Sequence, residues 1–148
     1  MSKTTRRRLL HRLVALGGLS LLPDARRRGA ARAAAKDAHL MNRAFEFKKA
    51  AEKSGDQAYG AVVVKDGRVV GEGPSRVIVN QDPTAHAEME AIRDAARTLG
   101  TRNLDGCILY ATSRPCRMCE TAAYWANVSH ITFGNDLNDG GRPRYSSC

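Results

Sequence analysis

Apolar and polar positions recur along this chain with two different periods, and the switches between them mark its elements. Residues 40–53 place apolar side chains at helical spacing and predict an amphipathic helix. Residues 60–65 (Gly-Ala-Val-Val-Val-Lys) and 68–73 (Arg-Val-Val-Gly-Glu-Gly) are apolar runs of strand length, and Asp66-Gly67 between them predicts a tight hairpin. Residues 74–82 read as a loop. The helical period returns over 83–99, with Asp82 placed as a cap, Pro83 in the first turn and Gly100 as the stop. Residues 107–112 predict a strand, 116–126 a helix opened by Pro115, and 129–133 a last clear strand. That order predicts an α/β fold, a sheet with helices on both faces. In such sheets sites gather at the carboxyl ends of strands.

The first 35 residues follow another pattern. Arg6-Arg7-Arg8-Leu9-Leu10 precedes an apolar run over 13–22, broken by Gly17-Gly18 and closed by Pro23; Arg26-Arg27-Arg28 and Ala33-Ala34-Ala35 follow. A basic start, a short apolar segment and a small-residue tract is the order of an export signal, and paired arginines before Leu-Leu resemble the twin-arginine type. Residues 1–35 therefore read as a signal peptide cleaved near Ala35, and 36–148 as the domain, periplasmic or exported. A solvated basic tail on a cytoplasmic protein is the alternative. The apolar run is too short to span a bilayer. This division changes the meaning of the charge. The chain carries +9, but residues 1–35 hold nine Lys and Arg against Asp24 alone, which leaves +1 on residues 36–148. A near-neutral domain lacks the basic surface of a nucleic-acid binder. Its length suits one small domain, and it contains no internal repeat.

The chemistry lies in two short stretches. His86-Ala87-Glu88 opens the second helix, and Pro115-Cys116-Arg117-Met118-Cys119 opens the third. Cys116 and Cys119 are three apart on a helix, so both sulfurs face one side. Together with His86 they offer three ligands to one zinc ion, with the fourth position free for water, as a catalytic zinc requires. Two helix N-termini meeting there favour anionic thiolates. Glu88 stands two residues from His86, placed to move protons between water and substrate. A Cys-x-x-Cys pair alone is equally a redox pair, and four cysteines are also consistent with a disulfide framework. Neither reading accounts for Glu88 or Pro115. Cys107, inside an apolar strand, reads as a buried thiol; Cys148 is a terminal thiol; His11, His39 and His130 carry no motif.

The spacing His-x-Glu … Pro-Cys-x-x-Cys is the signature of zinc deaminases. Residues 40–136 resemble the cytidine deaminase-like superfamily, and within it the guanine deaminase and tRNA adenosine deaminase branch. The resemblance rests on Asp82-Pro83-Thr84-Ala85-His86-Ala87-Glu88, Leu104-Asp105-Gly106-Cys107-Ile108-Leu109-Tyr110, Pro115-Cys116-Arg117-Met118-Cys119 and Tyr124-Trp125-Ala126. It implies a three-layer αβα fold around a mixed sheet of about five strands. It implies a homodimer, Zn2+ held by His86, Cys116 and Cys119, and Glu88 as the catalytic proton carrier. It also implies hydrolytic release of ammonia from a nucleobase or nucleoside-like heterocycle, with a guanine-type base leading. A tRNA adenosine deaminase and a non-catalytic zinc-fold binding protein are the alternatives. By position in the family, Ser75, the backbone of Ala61 and Ala87, and Trp125 are expected against the substrate. Three positions depart from the branch. Ser75 stands where Asn is usual, Arg114 where an acidic residue is common, and Tyr59 where Phe is frequent. The tail Arg144-Tyr145-Ser146-Ser147-Cys148 replaces the acidic pair with which guanine deaminases close the pocket. Arg114 is either a contact for an acidic substrate group or a solvated rim residue.

Overall fold

The run Ala61-Val62-Val63-Val64 lies at the centre of the molecule because helices cover both faces of its strand. The structure, a computed structural model, describes residues 22–145. The first 21 residues of the expected leader, His11 among them, and Cys148 lie outside this range. The elements are α1 Leu22–Lys53, β1 Gly60–Lys65, β2 Arg68–Pro74, α2 Ala87–Leu99, β3 Cys107–Ala111, α3 Arg117–Trp125, β4 His130–Phe133 and β5 Asn138–Gly141. The strands form one sheet in the order β2-β1-β3-β4-β5. β1 pairs antiparallel with β2 and β3, β3 runs parallel to β4, and β5 returns antiparallel. The sheet is therefore mixed, and α3 forms the crossover that its parallel pair requires.

On one face, Leu40, Met41 and Ala44 of α1 pack with Val62, Val64 and Tyr110. On the other, Ala87, Ala91 and Ala95 of α2 and Ala123 of α3 pack with Ala61, Val63, Leu109 and Ala111. This is the expected three-layer arrangement. A strand covered on both faces has no polar side to alternate with, hence the unbroken valines. Asp66 and Gly67 adopt φ of 49° and 72°, the left-handed pair of a tight hairpin. Gly71 and Gly73 allow α2 to lie directly on β2. A side-chain carbon at Gly71 would meet the Ala91 carbonyl, and one at Gly73 the Ala87 carbonyl.

Several boundaries differ from expectation. α1 begins at Leu22, well before residue 40. Its added turns are rich in Ala and Arg, strong helix formers that need no apolar face. Residues 27–36 of that extension are exposed, and burial begins at Leu40. The extension is tied to the sheet at Asp37, whose Oδ1 accepts from the Tyr110 hydroxyl at 2.8 Å. α2 begins at Ala87, not Pro83. Asp82 instead caps a turn, accepting from the Thr84 N–H and hydroxyl, both at 2.7 Å. The Ala85 carbonyl is held by the Arg76 N–H at 3.0 Å, which keeps that stretch in the loop. β5 (Asn-Asp-Gly-Gly) was not expected as an element, since it carries no apolar residue. Among the described residues no helix is long and apolar enough to cross a membrane.

Candidate active site

His86 and Cys116 occupy equivalent places, each the N-cap of its helix. Their backbones are extended, with φ, ψ of −64°, 153° and −70°, 170°, and neither side chain makes a capping hydrogen bond. Both side chains are thus available beyond the helix ends, where the positive poles of α2 and α3 meet. Cys119 and Glu88 stand in the first turns of α3 and α2. His86 Nδ1 lies 3.8 Å from Cys116 Sγ and 3.6 Å from Cys119 Sγ, and the two sulfurs are 3.6 Å apart. Tetrahedral bonds of ~2.3 Å to sulfur and ~2.05 Å to nitrogen call for separations of roughly 3.6–3.8 Å, so the triangle has the size of a zinc ion's ligand set. These three are the group of His, Cys, Asp and Glu able to share a metal among the described residues.

The chemistry of the donors agrees with the geometry. Burial pushes the Cys119 thiol far up, and the neighbouring Glu88 and Cys116 push it further. A thiolate there needs a cation beside it. Three protein ligands leave one coordination position open, the mark of a catalytic rather than structural site. Cys107, Cys116 and Cys119 are free thiols, and Cys107 is fully buried as expected, so the disulfide framework is not formed among the described residues.

Glu88 is only 6% exposed, and its Oε2 lies 3.6 Å from Cys119 Sγ. Burial raises the Glu88 carboxyl above the ordinary range; a backbone N–H, the Cys119 thiol and His86 act in the opposite direction. Glu88, Ala87, His86 and Cys116 share one cavity of about 300 Å³ with Gln57, Tyr59, Ser113 and Arg114. That volume is at the lower end for small-molecule sites.

Three expected contacts lie elsewhere. Ser75 is buried, donates its hydroxyl to Asp56 Oδ1 at 2.8 Å and does not line the cavity. Ala61 is sealed inside β1, paired with Gly73 and Ala111, so the ladder occupies its backbone. Trp125 sits at the end of α3, 65% exposed, its ring 6.3 Å from that of Tyr145. It borders a separate groove with Tyr124, Arg142 and Pro143. Ala87 does line the cavity.

Asp56 has no sequence motif, yet it organises one wall. Its carboxylate accepts from Gln57 N–H, Ser75 hydroxyl, Ile78 N–H and Val79 N–H at 2.7–2.9 Å. It thereby ties the segment bearing Gln57 and Tyr59 to the loop after β2. Burial alone would raise this carboxyl, but the four hydrogen bonds outweigh it and hold it below its ordinary value.

The ligand triangle and its carboxylate coincide with a family match. Residues 34–135 match the cytidine and deoxycytidylate deaminase zinc-binding region. The chain belongs to that family. Among curated members of this deaminase family, a guanine deaminase from Bacillus subtilis is 47% identical over 81 residues, 55% of this chain and 52% of the relative. A tRNA-specific adenosine deaminase from Aquifex aeolicus is 43% identical over 88 residues, 60% of this chain and 58% of the relative. The chain thus spans a little over half the length of these relatives. The solved structure of the Bacillus subtilis guanine deaminase superposes with a TM-score of 0.63 at 37% identity, covering 71% of this chain and 70% of that one.

Proposed function

We propose that this protein is a zinc-dependent hydrolytic deaminase that releases ammonia from a nucleobase or nucleoside-like heterocycle, with a guanine-type base as the leading substrate. The observation that carries this reading is the buried Glu88 carboxylate on the wall of the same small cavity as His86 and Cys116, with Cys119 of the triangle 3.6 Å behind it. Zinc held by those three residues supplies the Lewis acidity that makes water a competent nucleophile near neutral pH. Glu88 performs the proton work. It takes a proton from the attacking water and delivers it to a ring nitrogen, then takes the proton of the newly formed hydroxyl and passes it to the departing amine, so that water and amine exchange for carbonyl and ammonia. Burial suits the carboxyl to this task, because a raised pKa brings it nearer to neutrality as acid and base. The Ala87 backbone and Tyr59 form part of the wall against which the ring lies.

The test is ammonia release by the zinc-loaded chain over purine, pyrimidine and pterin bases and nucleosides. Glu88→Ala is expected to retain stoichiometric zinc and to lose at least 100-fold in turnover. Wild-type turnover in Glu88→Ala would refute the assignment. The second reading, deamination of adenosine in tRNA, is favoured by the tRNA-specific relatives, one of which matches 70% of this chain and 69% of its own length at 34% identity. A tRNA anticodon hairpin in the same panel separates the two.

Export and assembly belong to the same proposal. Residues 1–35 are a removable signal and 36–148 the domain. Support comes from the exposed residues 27–36, the tie at Asp37 and a family match that begins at residue 34. A homodimer is supported by the exposed rings of Tyr124, Trp125 and Tyr145, an apolar surface without cover.

A further inference from the structure

Among the described residues Arg114 is the one lysine or arginine lining the cavity, and its side chain is exposed. Its guanidinium carbon lies 5.9 Å from the centre of the Phe133 ring. At that distance the ring attracts the cation and consumes none of its N–H donors. Among the described residues, Arg43, Arg93 and Arg97 each pair with a carboxylate, whereas Arg114 meets none. Glu120 borders the adjoining hollow beside Arg114, but its Oε1 faces the Arg144 N–H at 3.4 Å. The carboxylate in the cavity, Glu88, is buried in its wall with the ligand residues. The cavity therefore pairs reacting groups in its interior with a cation that no carboxylate of the described residues matches, at an exposed lining position.

A neutral heterocycle would leave that cation to water alone. A ligand with a carboxylate or phosphate at the matching distance gains a charge-assisted, two-point contact to a preformed fork. We infer that Arg114 makes this cavity selective for amino-heterocycles that carry an anionic substituent, docked on its guanidinium. The inference rests on the deaminase reading above for the reacting end of the ligand, and on Arg114 for the other end.

The test uses the full zinc-loaded chain and matched substrate pairs: nucleosides against their 5′-monophosphates, and a pterin against its 6-carboxylate. Ammonia release is measured in wild type, Arg114→Gln and Arg114→Lys. In parallel, calorimetry follows binding of the same ligands to Glu88→Ala and to Glu88→Ala with Arg114→Gln. In wild type the anionic member of a pair is expected to be preferred at least tenfold in kcat/KM, chiefly through KM and less so at high salt. Arg114→Gln is expected to bring the ratio toward one, and Arg114→Lys to recover part of it, since charge without the fork is a weaker match. The pair that responds distinguishes phosphate from carboxylate. Equal ratios in wild type and Arg114→Gln overturn the inference while leaving deamination of a neutral base intact. Arg114-dependent binding without turnover upholds the anion contact and removes the deaminase reading. Turnover confined to an RNA hairpin overturns the inference in favour of a macromolecular substrate.

Discussion

Ser75 and Asp56 show how a residue expected at the substrate can act one step behind it. The Ser75 hydroxyl is consumed by Asp56, and the Asp56 carboxylate holds three backbone amides besides. Ser75→Ala removes one buried hydrogen bond and is expected to cost about 1 kcal/mol of stability without changing KM beyond twofold. Denaturant titration beside steady-state kinetics checks both halves. Asp56→Asn is expected to be more costly, roughly 2–4 kcal/mol, because an ionised acceptor serves four donors. The pH dependence has a definite sign. The folded pKa of Asp56 is depressed, so its stabilisation is fully present above the unfolded value of about 4 and is lost as pH falls through the folded value. The melting-temperature gap between wild type and Asp56→Asn should hold from neutral pH to about 5 and close below about pH 4. A gap that widened on acidification would contradict this.

At the scale of elements, the contact between β2 and α2 sets where Glu88 stands. Gly73 faces the Ala87 carbonyl with no room for a side chain, and Ala87 adjoins both His86 and Glu88. Gly73→Val must push the start of α2 off the sheet. It is expected to cost more than 3 kcal/mol and to weaken zinc retention as well as folding. Exposed Gly100, which meets nothing within 4 Å, provides the contrast: Gly100→Asn should preserve zinc and fold because Asn tolerates the left-handed C-cap position. Zinc content by mass spectrometry and thermal melts compare the two. The elements most legible in the sequence were those with a strong local cause: the valine strand, the Asp66-Gly67 turn, and the two helices whose openings hold the ligands. The boundaries that moved had competing local chemistry. Asp82 satisfied a turn rather than a helix, and the high helix propensity of the Ala-Arg tract extended α1. β5 exists because β4 offers an edge, a reason no residue of 138–141 advertises. Likewise the His86, Cys116, Cys119 and Glu88 constellation was legible because metal chemistry dictates spacing along the chain. Gln57, Tyr59 and Ser113 enter the cavity through the sheet's topology, which leaves no local pattern, and Trp125 was misplaced because a family position does not determine which way a helix end faces.

For the molecule as a whole, the described part of α1 passes from exposed to packed between residue 36 and Leu40. Removing residues 1–35 is expected to change the melting temperature by less than about 2 °C, since burial of core residues starts at Leu40. A larger loss would show that the exposed part of α1 contributes to the fold. Metal removal should act in the opposite manner. Chelation is expected to lower the melting temperature by 10 °C or more and Cys119→Ser to reproduce that loss, because the ligand site joins α2, α3 and the loops between them.

His86 and Cys116 each fill the position from which Ser, Thr, Asp or Asn would ordinarily secure a helix's leading amides, and neither does so. Two helices therefore begin at residues committed to an ion instead of to themselves. With zinc bound, the opening turns of α2 and α3 would form a single cooperative unit around His86, Cys116 and Cys119. Hydrogen exchange should register this directly: on metal loss the amides of residues 88–90 and 118–120 should lose protection together and ahead of the β1–β3 core, and both sets should recover at one zinc concentration. A site so arranged cannot linger as a well-formed but metal-free decoy, since its walls loosen with the loss of the ion.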